Sequence, residues 1–122
     1  MEQGSVRVVR GSETPTQRSD RTTSNDILGP DNGSPDLAVV SYSCAPGFRT
    51  GVHHHTADSL ALITAGRALF RWGRDLQEEV ELGPGDWLYV GAGEIHEELT
   101  PDDTRAEMVV ILNRGGGESV FK

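Results

Sequence analysis

Three of the four histidines in this chain stand side by side, as His53, His54 and His55, within the stretch GFRTGVHHHTADSLALITAG. Successive side chains of an extended strand point to opposite faces, so His53 and His55 share one face while His54 points away. Imidazole nitrogens are the commonest metal ligands that proteins supply. The spacing therefore predicts two converging metal ligands on one strand.

The fourth histidine, His96, lies in GDWLYVGAGEIHEEL, where glycines break a hydrophobic run into a predicted strand, turn and strand. Alternation along the second of these strands places Glu94, Glu98 and Thr100 on the face of His96, and Glu97 on the opposite face. A carboxylate aimed into an apolar interior has a raised pKa, so Glu98 is the candidate catalytic acid or base, or an additional metal ligand. The alternative is that Glu97 and Glu98 are solvated residues at the rim of the fold.

The first stretch resembles the first motif of the cupin superfamily, G(X)5HXH(X)3-4E(X)6G. Gly47, the three histidines and Gly66 fall at the required spacings, and Ser59 stands where the motif has glutamate. The neighbouring Asp58 replaces that glutamate only if the strand carries a bulge, because strict alternation points it to the other face.

The second stretch resembles the second cupin motif, G(X)5PXG(X)2H(X)3N. Gly85, Gly93 and His96 fall at the required positions, while Gly91 replaces the proline and Thr100 replaces the asparagine. Together the two motifs cover residues 47–100. The resemblance implies an all-β fold, a single-domain jelly-roll β-barrel, with His53, His55 and His96 as metal ligands.

The resemblance also implies a class of chemistry. Cupins with a three-histidine centre include thiol dioxygenases, and similar centres act on diketones and related oxygenated substrates. Without the glutamate, three neutral ligands leave an open side, as in catalytic rather than structural metal sites. We therefore expect a metal-dependent oxygenase acting on an anionic or oxygenated organic substrate. The alternatives are a cupin isomerase, cyclase or lyase, or a non-catalytic module that binds a small molecule or a metal.

The expected cofactor is one divalent transition metal per chain. Iron suits an oxygenase, whereas zinc, manganese, nickel, cobalt and copper also accept imidazole ligands. Three neutral ligands leave the metal its full positive charge, which favours anionic donors in a low-dielectric cavity.

Composition and charge indicate which kinds of partner the protein binds. With 19 acidic against 11 basic side chains the 122-residue chain carries a net charge of -8, which repels phosphate backbones and anionic lipid surfaces. We expect a small-molecule substrate and neither nucleic acid nor membrane as partner. The N-terminus lacks the apolar core of a signal peptide, and the single Cys44 forms no internal disulfide, so a cytoplasmic location is predicted. Nothing nearby lowers the thiol pKa, and Cys44 is predicted to be a small buried hydrophobe.

The strand pattern divides the single domain into an N-terminal strand and polar arm, residues 1–36, and a barrel core, residues 37–122. Apolar and alternating runs predict strands at 6–9, 37–44, 60–64, 67–72, 76–82, 87–90, around His96 and at 106–112, joined by short turns. About nine such strands are typical of an antiparallel sandwich or barrel. The outward apolar strand 106–112 predicts a symmetric homodimer, the usual cupin assembly.

The sequence leaves two points open. The strand 37–44 carries Tyr42 and Cys44 on one face and serines on the other, and either face could line a cavity. The polar arm is either a surface arm or a cover for the barrel mouth or a partner subunit, and its Arg18 and Arg21 are candidate anion contacts.

Overall fold

The computed structural model describes residues 2–3 and 6–121, which form antiparallel strands joined by turns and short 3-10 segments. In chain order the strands are β1 Glu2–Gln3, β2 Val6–Arg7, β3 Thr16–Arg18, β4 Thr22–Leu28, β5 Ala38–Cys44, β6 His53–His55, β7 Ser59–Gly66, β8 Ala68–Trp72, β9 Glu78–Leu82, β10 Trp87–Val90, β11 His96–Leu99, β12 Ala106–Leu112 and β13 Ser119–Phe121.

The strands build two large sheets. The six-stranded sheet has the order β10-β7-β12-β5-β4-β3, the five-stranded sheet has the order β13-β6-β11-β8-β9, and β1 pairs with β2. The predicted all-β fold is confirmed. No helix within residues 2–3 and 6–121 is both long enough and apolar enough to cross a membrane.

The core lies between the inner faces of the sheets, because alternate side chains of each strand point inward. On β12, Ala106, Met108 and Leu112 are buried, while Val109 and Ile111 face outward and are half-buried. The inward side chains of β7 and β8 complete the packing, and Ile63 and Phe70 are 1% and 4% exposed. Burying each of these large side chains contributes roughly 1.5–3 kcal/mol.

Several predicted strands agree with the structure, including 87–90 and 106–112 at their full length. The predicted return strand 76–82 begins later, at Glu78, because Arg74–Leu76 forms a 3-10 turn. Asp75 and Leu76 both have φ of 55°, which is incompatible with an extended strand. Hydrophobic alternation placed Leu76 in the strand, but the turn uses this residue to reverse the chain.

The polar arm contributes two strands to the larger sheet. β3 pairs with β4, and β4 pairs with β5 from Thr22↔Cys44 to Leu28↔Val39. Residues before the predicted boundary at 36 therefore share a sheet with residues after it. The polar tail likewise adds β13 to the smaller sheet, beside the histidine strand. The polar arm lacks the apolar alternation that marks a strand, because its side chains are half-buried or exposed, and β13 has only the short alternation Ser-Val-Phe.

Candidate metal centre

The histidines meet on neighbouring strands of the five-stranded sheet. β6 lies between β13 and β11, and His53 pairs directly with His96 across the ladder. The ring centroids lie 4.3 Å apart for His53 and His96, 4.8 Å for His53 and His55, and 5.3 Å for His55 and His96. One nitrogen of each ring lies within 4.8 Å of the others. The three predicted ligands therefore come together, and His54 is not part of the cluster.

Backbone carbonyls determine which ring nitrogens are free. Nδ1 of His53 lies 2.9 Å from the carbonyl oxygen of Gly51, and Nδ1 of His96 lies 2.8 Å from that of Glu94. A carbonyl oxygen only accepts hydrogen bonds, so both Nδ1 atoms carry the proton and both Nε2 lone pairs are free. This outer support is what metal-binding histidines require, and the cluster fits a transition metal.

Burial keeps two of the three imidazole rings neutral, by lowering the pKa of each. It lowers the pKa of His55 to about 4, with the neighbouring rings of His53 and His96 adding to the effect. Burial also lowers the pKa of His96, against an opposing hydrogen bond to Glu94. The imidazoles of His55 and His96 are therefore unprotonated at neutral pH, as a metal ion requires.

Ser59 occupies the position where the cupin motif has glutamate. It is 9% exposed and lines the same cavity as the histidines. Asp58 points elsewhere, since its carboxylate accepts hydrogen bonds from the backbone N–H of Ala92 at 2.8 Å and from Nδ2 of Asn113 at 3.0 Å. These two hydrogen bonds lower the pKa of Asp58. The position of the motif glutamate therefore carries a hydroxyl group and not a carboxylate.

A cavity of about 260 Å³ adjoins the histidines between the two sheets. Tyr42 and Cys44 face into it, which decides the orientation of β5. The cavity walls are mainly apolar and include Phe48, Ala61, Phe70, Leu88, Val90, Met108 and Val110. A largely apolar cavity with a few convergent polar groups is the usual form of a small-molecule site.

Glu98 projects into this cavity beside the histidine cluster, as alternation predicted. Its Oε2 lies 3.8 Å from Nε2 of His96, and the side chain keeps 30% of its exposure, which is toward the cavity. Burial among the cavity walls raises the pKa of Glu98 to about 7. Its backbone N–H donates to Oγ1 of Thr50 at 3.0 Å, which anchors this part of β11. The carboxyl group is thus placed for proton transfer or for metal binding.

The other two glutamates of this segment differ from Glu98. Glu97 lies on the opposite face, as predicted, but it is 5% exposed and not a solvated rim residue. Arg49 holds it, with Nη2 donating to Oε1 at 2.9 Å and Nε donating to Oε2 at 3.2 Å. The predicted inward orientation of Glu94 is wrong, because the strand begins at His96 and Glu94 lies exposed in the preceding turn.

Sequence reasoning missed the contribution of β13. Oγ of Ser119 lies 3.0 Å from Nδ1 of His55, and the ring of Phe121 lies 5.2 Å from that of His53. The one available signal was the short alternation Ser-Val-Phe after the glycine-rich turn. The candidate anion contacts of the arm do not line the cavity: Arg18 is exposed, and Nη1 of Arg21 donates to the carbonyl oxygen of Pro46 at 2.7 Å.

The structure is similar to several solved proteins. The polyketide cyclase RemF from Streptomyces resistomycificus matches with a TM-score of 0.81 at 16% identity, over 95% of this chain and 84% of the other. A variant of oxalate decarboxylase from B. subtilis matches with a TM-score of 0.80 at 18% identity, over 99% of this chain but 34% of the decarboxylase. A cupin superfamily protein from Desulfitobacterium hafniense DCB-2 matches with a TM-score of 0.66 at 24% identity, over 80% and 81%.

These similarities confirm the predicted fold: the chain has the cupin fold. No protein-family model matches the sequence, and no curated protein does either. This chain spans about a third of the length of the oxalate decarboxylase chain. Two of the three similar proteins are enzymes by name, and the histidine cluster is suited to a divalent metal.

Proposed function

We propose that this protein is a metal-dependent enzyme that acts on an anionic or oxygenated organic molecule, with His53, His55 and His96 as the metal ligands. The observation that carries the proposal is the convergence of these three side chains beside an apolar cavity, with the Nε2 atoms of His53 and His96 left free. One divalent metal per chain is the proposed cofactor. When bound, it supplies a positive charge that attracts and polarises a substrate oxygen or sulfur.

The protein side chains have separate parts in this proposal. The carbonyls of Gly51 and Glu94 orient two of the ligand rings. Ser59 leaves space on the open side, where the cupin motif would add a negative charge. Glu98 holds or releases a proton near neutral pH, because its pKa of about 7 allows both forms. The apolar walls exclude water from the bound substrate.

Two reaction classes are candidates, each favoured by a different feature of the site. An oxygenase with iron is our first proposal, because an open centre of three neutral histidines resembles those of cupin dioxygenases. Zinc, manganese, nickel, cobalt or copper would fit the same ligands. A cyclase, isomerase or lyase is the second candidate, favoured by the position of Glu98. The similar fold of a polyketide cyclase and of oxalate decarboxylases is consistent with this second class.

The ligand assignment is tested by metal analysis of matched variants. His96→Ala should empty the site, because two histidines are too few to hold a divalent ion firmly. His54→Ala should keep the wild-type metal content, since His54 lies outside the cluster. Equal metal content in the two variants would refute the assignment. Elemental analysis of wild-type protein purified without added metal identifies the natural ion, and iron would favour oxygen chemistry.

A non-catalytic binding module remains the alternative from another class. Substrate turnover by the metal-loaded protein distinguishes an enzyme from a binding module, and Glu98→Gln provides the control. If the protein is an enzyme that moves a proton, this variant should lose turnover while keeping its metal. Wild-type protein that binds metal yet converts no oxygenated, diketone or carboxylate substrate would favour the binding module.

We also propose that the protein is a homodimer in which two copies pack through the outer face of the six-stranded sheet. Trp87 and Tyr89 at its edge are 56% and 65% exposed. Across the sheet, Trp87 pairs with Leu62, and Leu62 pairs with Val109. Tyr89 begins a second row of paired residues, which continues through Leu60, Ile111 and Val39. Two apolar rows therefore cross the outer face. An apolar face shared by identical subunits is suited to a two-fold interface.

Sedimentation at micromolar concentration tests the dimer. Ile111→Glu should convert a dimer to a monomer, whereas Gln77→Glu, a change at an exposed position just before β9 of the other sheet, should leave it intact. A wild-type monomer would contradict the proposal. The cytoplasmic location and the expected lack of nucleic-acid and membrane partners stay predictions.

A further inference from the structure

A second cavity, of about 420 Å³, adjoins the metal cavity at the gap between the two sheets. The two cavities share four lining residues, Tyr42, His55, Leu112 and Ser119. The second cavity is bordered on one side by the segment 26–32 of the polar arm and on the other by the turn Gly115 to Gly117. His55 of the cluster therefore borders both cavities, one with mainly apolar walls and one with more polar walls.

Glu98 lies on the metal-cavity side of this junction, and Asp26 lies on the side of the second cavity. On β4, Asp26 pairs with Val40, two residues from Tyr42 on the inward face of β5. Nε2 of Gln17 donates to Oδ2 of Asp26 at 2.8 Å, which holds the carboxylate at the wall of the second cavity. Asp31 lies further out on the same wall, at an exposed position. The second cavity thus presents negative charge to anything that extends from the metal.

The lining residues do not offset this negative charge with basic side chains. Among the described residues that line the two cavities, none is lysine or arginine. An anionic group is therefore favoured only at the histidine cluster, once the metal is bound. A second anionic group on the same molecule would face Asp26 in a partly dehydrated space, where like charges repel more strongly than in bulk water.

We infer that the ligand of this site has two different ends: an oxyanion that binds at the histidines, and an ammonium or hydroxyl group that donates a hydrogen bond to Asp26 in the second cavity. This inference rests on the proposed function and adds the class of ligand to it. Asp26 is then a specificity-determining residue, and a dicarboxylate is a poor ligand.

The test uses cobalt-loaded protein and probes of matched shape. Pentanoate, 4-hydroxybutanoate and 4-aminobutanoate each carry one carboxylate and differ at the far end, where glutarate carries a second carboxylate. The probes 5-aminopentanoate and 6-aminohexanoate extend the reach. Cobalt absorbance reports carboxylate binding at the metal, and calorimetry gives the dissociation constant. An amino acid of the right length should bind about fivefold more tightly than its methyl-ended counterpart, a typical contribution of a partly exposed ion pair. Glutarate should bind more weakly than pentanoate.

Two variants assign the effect to one side chain. Asp26→Asn should remove the preference for the ammonium probe and leave pentanoate binding unchanged. Asp20→Asn changes an exposed carboxylate on the same arm outside both cavities, and it should keep the full preference. Equal preference in wild type and Asp26→Asn would overturn the two-ended ligand while leaving the metal site in place. If no carboxylate perturbs cobalt in wild-type protein, the proposed function fails and the inference fails with it.

Discussion

Oγ of Ser119 lies 3.0 Å from Nδ1 of His55, although 64 residues separate them along the chain. The contact places a hydrogen-bond partner behind the third candidate ligand, as the backbone carbonyls do behind the other two. With Nδ1 protonated, the ring donates to the hydroxyl group and directs its free Nε2 toward the other histidines.

Ser119→Ala should therefore weaken metal binding by about tenfold. This is the lower end of the range for losing a hydrogen-bond partner of a metal ligand, because water partly replaces the hydroxyl group at this exposed position. Ser119→Thr retains the hydroxyl and should retain the affinity. Competition with a chelator of known affinity measures the dissociation constants. Identical constants for Ser119→Ala and wild type would show that Ser119 does not orient His55.

Ser59→Glu should restore the carboxylate of the cupin motif and change anion binding. The new side chain would keep or tighten the metal while neutralising part of its charge, so acetohydroxamate should bind about tenfold more weakly, or about 1.4 kcal/mol. Thr64→Glu adds a charge at an exposed position of the same strand and serves as the control. Calorimetry with metal-loaded proteins gives the affinities. Unchanged acetohydroxamate binding in Ser59→Glu would mean that Ser59 does not face the metal.

Glu98 should make the stability of the metal-free protein depend on pH. Burial raises its pKa from 4.5 to about 7, so between these values the folded state binds more protons than the unfolded state. The contribution of Glu98 to the free energy of unfolding therefore decreases as pH rises through this window, by roughly 2–3 kcal/mol, while the lowered pKa of His55 acts in the opposite direction below pH 6.5. Glu98→Gln should lack this decrease. Urea unfolding of both proteins at pH 4.5 and pH 8, without metal, measures the difference, and parallel pH profiles would contradict the burial of the carboxyl group.

The thiol of Cys44 should be unreactive in the folded protein. Burial raises its pKa from 9.0 to about 11, with the charge of Glu98 as a smaller cause. Since the thiolate is the reactive form, alkylation by iodoacetamide at pH 8.5 should be about a hundredfold slower than in urea. The rate in the folded protein should keep rising up to pH 11, where the rate in urea has already levelled off. Mass spectrometry follows the reaction, and equal rates at pH 8.5 would refute a buried, protonated thiol.

Gly66 should tolerate no side chain. Its φ is +74°, and a Cβ atom would lie 1.7 Å from the carbonyl oxygen of Arg105, a backbone atom that has little room to move. Gly66→Ala should lower the free energy of unfolding by about 3 kcal/mol or more, from the left-handed conformation and the clash together. Gly85 has a φ of +90° but open space around it, so Gly85→Ala should cost about 1 kcal/mol. Denaturant titration compares the two, and equal losses would refute the close approach of the two strands.

The sequence was informative where a property depends on near neighbours. The two-residue period placed His53 and His55 on one face and Glu98 on the face of His96, because alternation along a strand needs no information from elsewhere in the chain. It failed for Glu94 and Leu76, where a turn replaces the expected strand. Turn geometry depends on backbone dihedral angles that apolar spacing does not report.

The sequence alone therefore determined the candidate ligands, their shared faces, the replacement of glutamate by Ser59 and, through the motif spacings, the cupin fold. Tertiary structure decided what surrounds them: the pairing of β6 with both β11 and β13, the support of His55 by Ser119, and the second cavity beside Asp26. These features join segments that lie far apart in the chain. Their register is set by hydrogen bonding and packing across the whole sheet, which no local pattern of side chains encodes.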